Sequence, residues 1–335
     1  MKKLLYGFLI FLGLLVIVFL LGPRPSKPKL EVAFPQLPAD PAALEQYVAA
    51  KEAATPYIKP DNEARIIWAD STKQRTPWSI VYIHGFSASQ AEGEPGHRML
   101  AERYGCNLYL ARLHAHGQAA PEPLLDFTGD AVLASAAEAV AIGNQLGEKT
   151  LVICTSTGGT LSLWLAAQAP ESIDALVMYS PNIQIFDPTA NVLTMPWGLQ
   201  LARMVKGSNY NDWEATDAEK AYWNNHYRLE ATVQLQALVK ASMKPETFQA
   251  VKQPTLLCYY YKNEEEQDNT VSVPAMLAMF DQLGTPAEQK RKIAFSTVGT
   301  HPLASIHTSK DWEGVYRETC NFVEQVLGWK GVEGV

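Results

Sequence analysis

Between Leu151 and Gln168 the chain passes directly from a short apolar run into a helix-compatible one, and the junction reads Thr155-Ser156-Thr157-Gly158-Gly159. A strand that turns at once into a helix has no loop to hide its corner residue. Ser156 is therefore pushed out beyond the strand's carboxyl end, and the first amides of the helix lie beside it. A hydroxyl so displayed can act as a nucleophile, with adjacent N–H groups facing the negative charge that develops on its target. The usual corner carries glycine two residues before and two after the serine. Here Cys154 takes the first place and only Gly158 is in register. Thr155, Ser156 and Thr157 are also good helix N-caps, so the rest of the chain has to decide between the two readings.

Strand-like runs at 78–83, 107–112, 150–154, 175–179, 255–261 and 292–295 alternate with helical stretches. The clearest helices are 130–146, with Val132, Ala136, Val140 and Ile142 near one face, and 160–168. Short apolar strands alternating with helices predict an α/β chain, a mainly parallel sheet covered by helices on both faces. Sites in such sheets gather beyond the carboxyl ends of the strands. The alternation lapses between Tyr179 and Gln253, a region rich in aromatic residues: Phe186, Trp197, Tyr210, Trp213, Tyr222, Trp223 and Tyr227. Helical spacing over 214–237 predicts a small helical cap, inserted at about 183–250, that lies over the site. Most of its aromatics are expected in the cap's own core.

The globular part, 61–330, is large enough for one sizeable core. A formal net charge of −7, with no basic cluster outside the N-terminal region, argues against nucleic acid as a partner. Residues 4–21 carry no charged side chain, at the lower end of the length that crosses a bilayer. Lys2 and Lys3 would also suit a cleaved signal. The length of the apolar run and the lack of a small-residue cleavage site after Leu20 favour an uncleaved membrane anchor over 1–22. Residues 23–60 read as a proline-rich tether that holds the domain off the membrane, with a short helix at 42–51. Lys2, Lys3 and the amino terminus are balanced by Arg24, Lys27 and Lys29, and the domain is most simply placed outside the cytoplasm. Cys106, Cys154, Cys258 and Cys320 are too widely spaced for a disulfide framework or a metal motif and read as core residues.

An acyl-transfer site needs a base, an acid to orient it and two amide donors besides the nucleophile. The first apolar strand ends in Ile83-His84-Gly85-Phe86, so the Phe86 amide can pair with that of Thr157 as an oxyanion hole. His84 can at the same time hydrogen-bond its own loop. The base is expected at His301, held in a turn between Gly299 and Pro302, with His307 as second choice. Asp268, where the chain turns back before Pro274, is expected as the acid, ahead of Glu265 and Glu266. His84, His114 and His116 have no acidic or cysteine ligand at suitable spacing, so no metal site is expected there.

Taken in order, HGFSAS at 84–89, ARLHAHG at 111–117, TSTGG at 155–159, DNTV at 268–271 and GTHP at 299–302 resemble the α/β-hydrolase superfamily. The resemblance is to its carboxylesterase and monoacylglycerol-lipase-like branch, the serine aminopeptidase S33 type, and spans most of 62–330. It implies the α/β-hydrolase fold and a Ser156–His301–Asp268 triad working through an acyl-enzyme, with no metal or organic cofactor. The implied partner is a small-molecule or lipid-like ester. Two alternatives go with it: an aminopeptidase, for which Glu214 or Glu219 would hold the substrate's ammonium group, and a non-catalytic binding protein on the same fold. Cys154 departs from the family pattern, as do His114 and Ala115 before the second His-Gly pair.

Overall fold

Side chains that alternate from one face of a strand to the other build the centre of the molecule. The structure, a computed structural model, describes residues 2–332. Its strands are β1 (Arg65–Ile67), β2 (Thr76–Ile83), β3 (Asn107–Leu110), β4 (Gly147–Thr155), β5 (Ala175–Tyr179), β6 (Tyr210–Asp212), β7 (His226–Arg228), β8 (Thr255–Tyr260) and β9 (Lys290–Phe295). Seven of them form one sheet in the order β1-β3-β2-β4-β5-β8-β9, parallel throughout except for β1 against β3. This is the covered, mainly parallel sheet that the alternation predicts.

The helices are α1 (Lys2–Leu20), α2 (Pro41–Ala54), α3 (Gly96–Tyr104), α4 (Gly129–Leu146), α5 (Thr157–Gln168), α6 (Gly198–Lys206), α7 (Asp217–Tyr222), α8 (Leu229–Ser242), α9 (Pro245–Ala250), α10 (Val273–Gln282) and α11 (Trp312–Gln325). Val81, Ile83, Val152, Cys154, Leu176 and Met178 pack on the face that α4, α5 and α10 cover. Their strand neighbours Ile80, Tyr82, Leu151, Ile153 and Val177 pack on the opposite face, against α3 and α11. Each such aliphatic side chain, fully buried, contributes about 1.5–3 kcal/mol. Local signals set the helix starts: the Thr128 hydroxyl accepts the Ala131 N–H of α4 at 3.2 Å, and Ser272 does the same for α10 at 3.3 Å.

One expectation is corrected. The proline-rich segment is extended, as its prolines require, but it does not stand free. Leu30 is buried, its N–H donates to Asp130 of α4 at 2.8 Å, and its carbonyl accepts the Trp164 indole of α5 at 3.0 Å. The segment lies on the domain because one apolar residue among the prolines finds a place there. The cap over 214–237 is helical, with one interruption. Thr216 and Glu219 cap the short α7, which stops at Tyr222. The Asn224 N–H then bonds to the Ser87 carbonyl at 2.7 Å, so the chain is drawn out of helical geometry into β7, which pairs with β6 as a two-stranded ribbon. Helix resumes at α8. The helical stretch α1 is exposed along its length and is long and apolar enough to cross a bilayer.

The strand order sets the place of the site. β2 lies between β3 and β4, so successive connections leave it in opposite directions and open a crevice beyond the carboxyl ends of β2 and β4. Ile83, the last residue of β2, pairs with Cys154, and Thr155 pairs with Tyr179. The loops that follow β2, β4 and β5 therefore begin at the same level.

Candidate active site

Ser156 stands at the corner between β4 and α5 with φ 53° and ψ −117°. A side chain at such a backbone angle costs about 1–3 kcal/mol and persists only where its surroundings hold it. Here the Ser156 N–H donates to Tyr179 at 3.0 Å, while its carbonyl accepts the N–H groups of Gly159 at 2.9 Å and Asn182 at 2.8 Å. Gly158 is demanded by contact, because a Cβ there would lie 2.1 Å from the Ile83 carbonyl oxygen. Cys154 is accommodated because its side chain points into the core, toward the Val177 carbonyl at 3.5 Å, and Gly159 of α5, which has no side chain, lies beside its sulfur. Burial pushes the Cys154 thiol up to about 12, so it behaves as a packing group.

The turn after β2 is fixed from behind. His84 Nε2 accepts the Leu113 N–H at 3.1 Å, so its proton sits on Nδ1, which donates to the Gly85 carbonyl at 2.8 Å. Burial, aided by the Arg112 charge, lowers the His84 pKa to about 4 and keeps the ring neutral. Gly85 is wedged between Ser156 and Glu92: a Cβ on it would meet Ser156 Cβ at 2.9 Å and a Glu92 carboxylate oxygen at 3.0 Å. Its N–H donates to Glu92 Oε2 at 2.6 Å. Among the described residues the N–H groups of Phe86 and Thr157 have no acceptor, and both residues line the cavity that Ser156 faces.

Glu92 is the group that sequence reasoning missed. Its surroundings in the chain, Gln90-Ala91-Glu92-Gly93, carry no periodic or motif signal, and only its spacing of seven residues from Gly85 brings it back under the turn. Burial raises its pKa to about 7, against the opposing pull of the Gly85 N–H and of His301.

Asp268 follows β8 and is fully buried. Its Oδ1 accepts the N–H groups of Thr270 at 2.9 Å and Val271 at 3.1 Å, and its Oδ2 lies 2.7 Å from His301 Nδ1. Burial pushes the carboxyl up, but the positive charge and hydrogen bond of His301 and the two amides outweigh it and hold the pKa below the ordinary value. For His301, burial pulls down and the Asp268 carboxylate, with help from Glu92, more than compensates, so the imidazole pKa is raised. His301 Nε2 is buried and, among the described residues, has no hydrogen-bond partner. Gly299, at φ 69°, supplies the left-handed residue that lets the loop after β9 turn back over the site.

The structure brings Ser156, His301, Phe86 and Thr157 to one cavity of about 530 Å³, with Asp268 behind His301. Ser156 and His301 share this cavity without a hydrogen bond between them in this conformation. The cap closes it with Trp213, Trp223, Tyr227 and Leu235, so these aromatics serve as cavity wall as well as cap core. The volume suits a small-molecule site. Glu265 and Glu266 are exposed, and Glu266 pairs with Lys262 at 2.6 Å. His307 packs on Tyr222 with ring centroids 4.9 Å apart and does not line the cavity. Neither does Glu214. Glu219 does, but its carboxylate caps α7, accepting from the Thr216 N–H and hydroxyl at 2.8 Å each. His116 lies between Phe86 and Phe127, its Nδ1 on the His114 carbonyl at 2.8 Å.

A larger, more open hollow of about 780 Å³ lies between α2 and α4. Two of its cations are paired, Lys51 with Glu138 and Arg112 with Glu52, and it contains none of the residues around Ser156.

No protein-family model matches the chain, and no curated protein sequence does. Solved structures do. Among them is one described under "LipS and LipT, two metagenome-derived lipolytic enzymes", with a TM-score of 0.64 and 17% identity over 80% of this chain and 99% of that one. A monoacylglycerol lipase from Paleococcus ferrophilus gives a TM-score of 0.56 and 14% identity over 78% of this chain and 97% of that one. Est1E from Butyrivibrio proteoclasticus, with ferulic acid bound, gives 0.53 and 16% over 82% of this chain and 100% of that one. Likeness at this level of identity speaks for the fold. With the sheet order, the strained corner after β4 and the cap inserted after β5, it establishes that this chain has the α/β-hydrolase fold.

Proposed function

We propose that the chain is a membrane-anchored serine hydrolase that cleaves carboxylic esters with lipid-like or other hydrophobic acyl groups. The observation that carries this reading is the 2.7 Å hydrogen bond between Asp268 and His301, whose unpartnered Nε2 belongs to the same cavity as Ser156. In the proposed reaction His301 Nε2 takes the proton of Ser156 Oγ as that oxygen attacks the ester carbonyl carbon. Asp268 holds the Nδ1 proton and stabilises the imidazolium, and the N–H groups of Phe86 and Thr157 receive the oxyanion. The alcohol leaves with the proton from His301. Water, deprotonated by the same nitrogen, then attacks the acyl carbon, and the acid departs as His301 returns the proton to Ser156 Oγ. The scheme draws on no metal or organic cofactor.

The apolar wall of Ile185, Trp213, Tyr227 and Leu235 supports a hydrophobic acyl group, and the lipolytic and esterase neighbours point the same way. The 19 residues of α1 span about 28 Å, close to the hydrocarbon thickness of a bilayer. In this reading α1 anchors the enzyme and the domain sits outside the cytoplasm.

The test is turnover of aryl esters of increasing acyl length beside aminoacyl amides, with Ser156→Ala as blank. Ester turnover that rises with chain length supports the reading. Cleavage of the aminoacyl amides alone would move it to the peptidase side.

A further inference from the structure

Asn182 is tied to the corner after β4 through its main chain and leaves its side chain unused. Its N–H donates to the Ser156 carbonyl at 2.8 Å, and its own carbonyl accepts the Thr160 hydroxyl of α5 at 2.6 Å. Both ends of the residue are thus fixed relative to Ser156, and the side chain has a set position beside it. That side chain lines the cavity and the residue is only 3% exposed, yet among the described residues no protein group hydrogen-bonds to its carboxamide. Two hydroxyls of the same cavity are in the same condition: Thr157 Oγ1, next to Ser156, and Thr232 Oγ1, on α8 of the cap. Buried polar groups are nearly always satisfied, and three unsatisfied ones gathered around one cavity point to a bound group that satisfies them.

Their chemistry defines that group. A carboxamide and two hydroxyls both donate and accept, as a hydroxyl ligand requires. Among the described residues no Lys or Arg lines the cavity, while Glu92 and Glu219 do, so a carboxylate or phosphate would find no cation there besides His301 itself. We infer that Asn182, with Thr157 and Thr232, forms a polar subsite that selects neutral esters bearing a hydroxyl group close to the scissile carbonyl. The inference rests on the hydrolase reading above and sharpens its substrate class. The apolar cap wall takes the hydrocarbon part of the substrate and the Asn182 side takes the hydroxyl. Asn182 is a specificity-determining residue in this account, because the main-chain contact that steadies Ser156 does not depend on its side chain.

The experiment measures kcat/KM of the full-length protein on two matched ester pairs. Methyl butanoate against methyl 3-hydroxybutanoate places the hydroxyl on the acyl side, and ethyl butanoate against 2-hydroxyethyl butanoate places it on the alcohol side. The expected result is a preference of about tenfold for the hydroxylated member of at least one pair. Asn182→Leu abolishes that preference, so the ratio of kcat/KM between the hydroxylated and the plain member falls by about tenfold, since the hydroxyl loses its partner. Thr232→Val, nearly isosteric and on a different element, lowers the same preference and serves should Asn182→Leu fold poorly. The pair that shows the effect identifies which side of the ester carries the hydroxyl. Equal rates within both pairs, or a preference that survives both substitutions, would overturn the subsite. Turnover of the plain esters that is lost in Ser156→Ala keeps the hydrolase reading standing in that event, whereas no ester turnover at all would overturn both.

Discussion

Asp268 Oδ2 lies 2.7 Å from His301 Nδ1, and the same carboxylate is fixed by the N–H groups of Thr270 and Val271, so the ring is held in one tautomer with Nε2 free. Replacing the acid with Asp268→Asn is expected to lower kcat on an ester by about 10³–10⁴-fold. The sign of the pH effect follows from the charges. Neutral His301 is the base, and Asp268 raises its pKa above 6.5, so activity should rise with pH through a midpoint above that value. In Asp268→Asn the residual activity should show a midpoint displaced to lower pH. A pH profile of kcat/KM for both proteins checks it.

Glu92 is expected to affect rate and stability in different ways. Glu92→Gln keeps the acceptor for the Gly85 N–H and removes a negative charge that raises the His301 pKa, so the acid limb of the profile should move down. Its own folded pKa, about 7, lies above the ordinary value of 4.5. Stability from the protonated form is therefore complete below pH 4.5 and is lost as pH rises through 7, by about 3 kcal/mol in all. Glu92→Gln escapes this loss. Denaturant unfolding at pH 5 and pH 8 should show the variant gaining on the parent at the higher pH.

Gly158→Ala is expected to cost at least 2 kcal/mol and most of the activity, because the new methyl group would fall 2.1 Å from the Ile83 carbonyl oxygen, a main-chain atom with no freedom to move. A fall in the melting temperature together with a loss of ester turnover checks it. Gly207, whose added Cβ meets nothing within 4 Å, provides a control for the presence of a methyl group, though its φ of 62° adds strain of its own.

Acid should weaken the fold through buried histidines. Burial holds His97 at about 3 and His84 at about 4, while the unfolded groups titrate near 6.5. Their neutral forms contribute stability above pH 6.5 that is lost as pH falls toward 4, on the order of 3 kcal/mol for each. The loss opposes the gain from Glu92 over the same interval. His97→Asn should unfold more easily at pH 7, since its contacts with Tyr82 and the Gln90 carbonyl go, but should lose less between pH 6.5 and 4 than the parent. Unfolding curves across that window give the comparison.

What could be read in advance was whatever a short stretch of chain encodes by itself. The strands β2, β4, β5 and β8 are apolar runs of β-branched and other large residues, and α4 and α5 carry their spacing on one face, so the sheet and its covering were legible. The residues gathered at Ser156 could be picked out because each lies at the corner or in the loop that follows a strand. Glu92 was not, since nothing near it in sequence reveals that the chain folds back to place its carboxylate on Gly85. Asn182 was hidden for the same reason, its role being set by contacts with Ser156 and Thr160. The cap ribbon escaped because β6 and β7 have three residues each, too few for a period to show. The docking of the proline-rich segment turned on the single residue Leu30.

The central claim is that Ser156 is a nucleophile activated by His301, and covalent labelling tests it most directly. Detergent-solubilised full-length protein is treated with a fluorophosphonate and its intact mass is measured, beside Ser156→Ala and His301→Ala. The account predicts one phosphonyl adduct on the parent, none on Ser156→Ala, and labelling slowed by several orders of magnitude in His301→Ala. Equal labelling of the parent and Ser156→Ala, or no adduct on the parent, would contradict it.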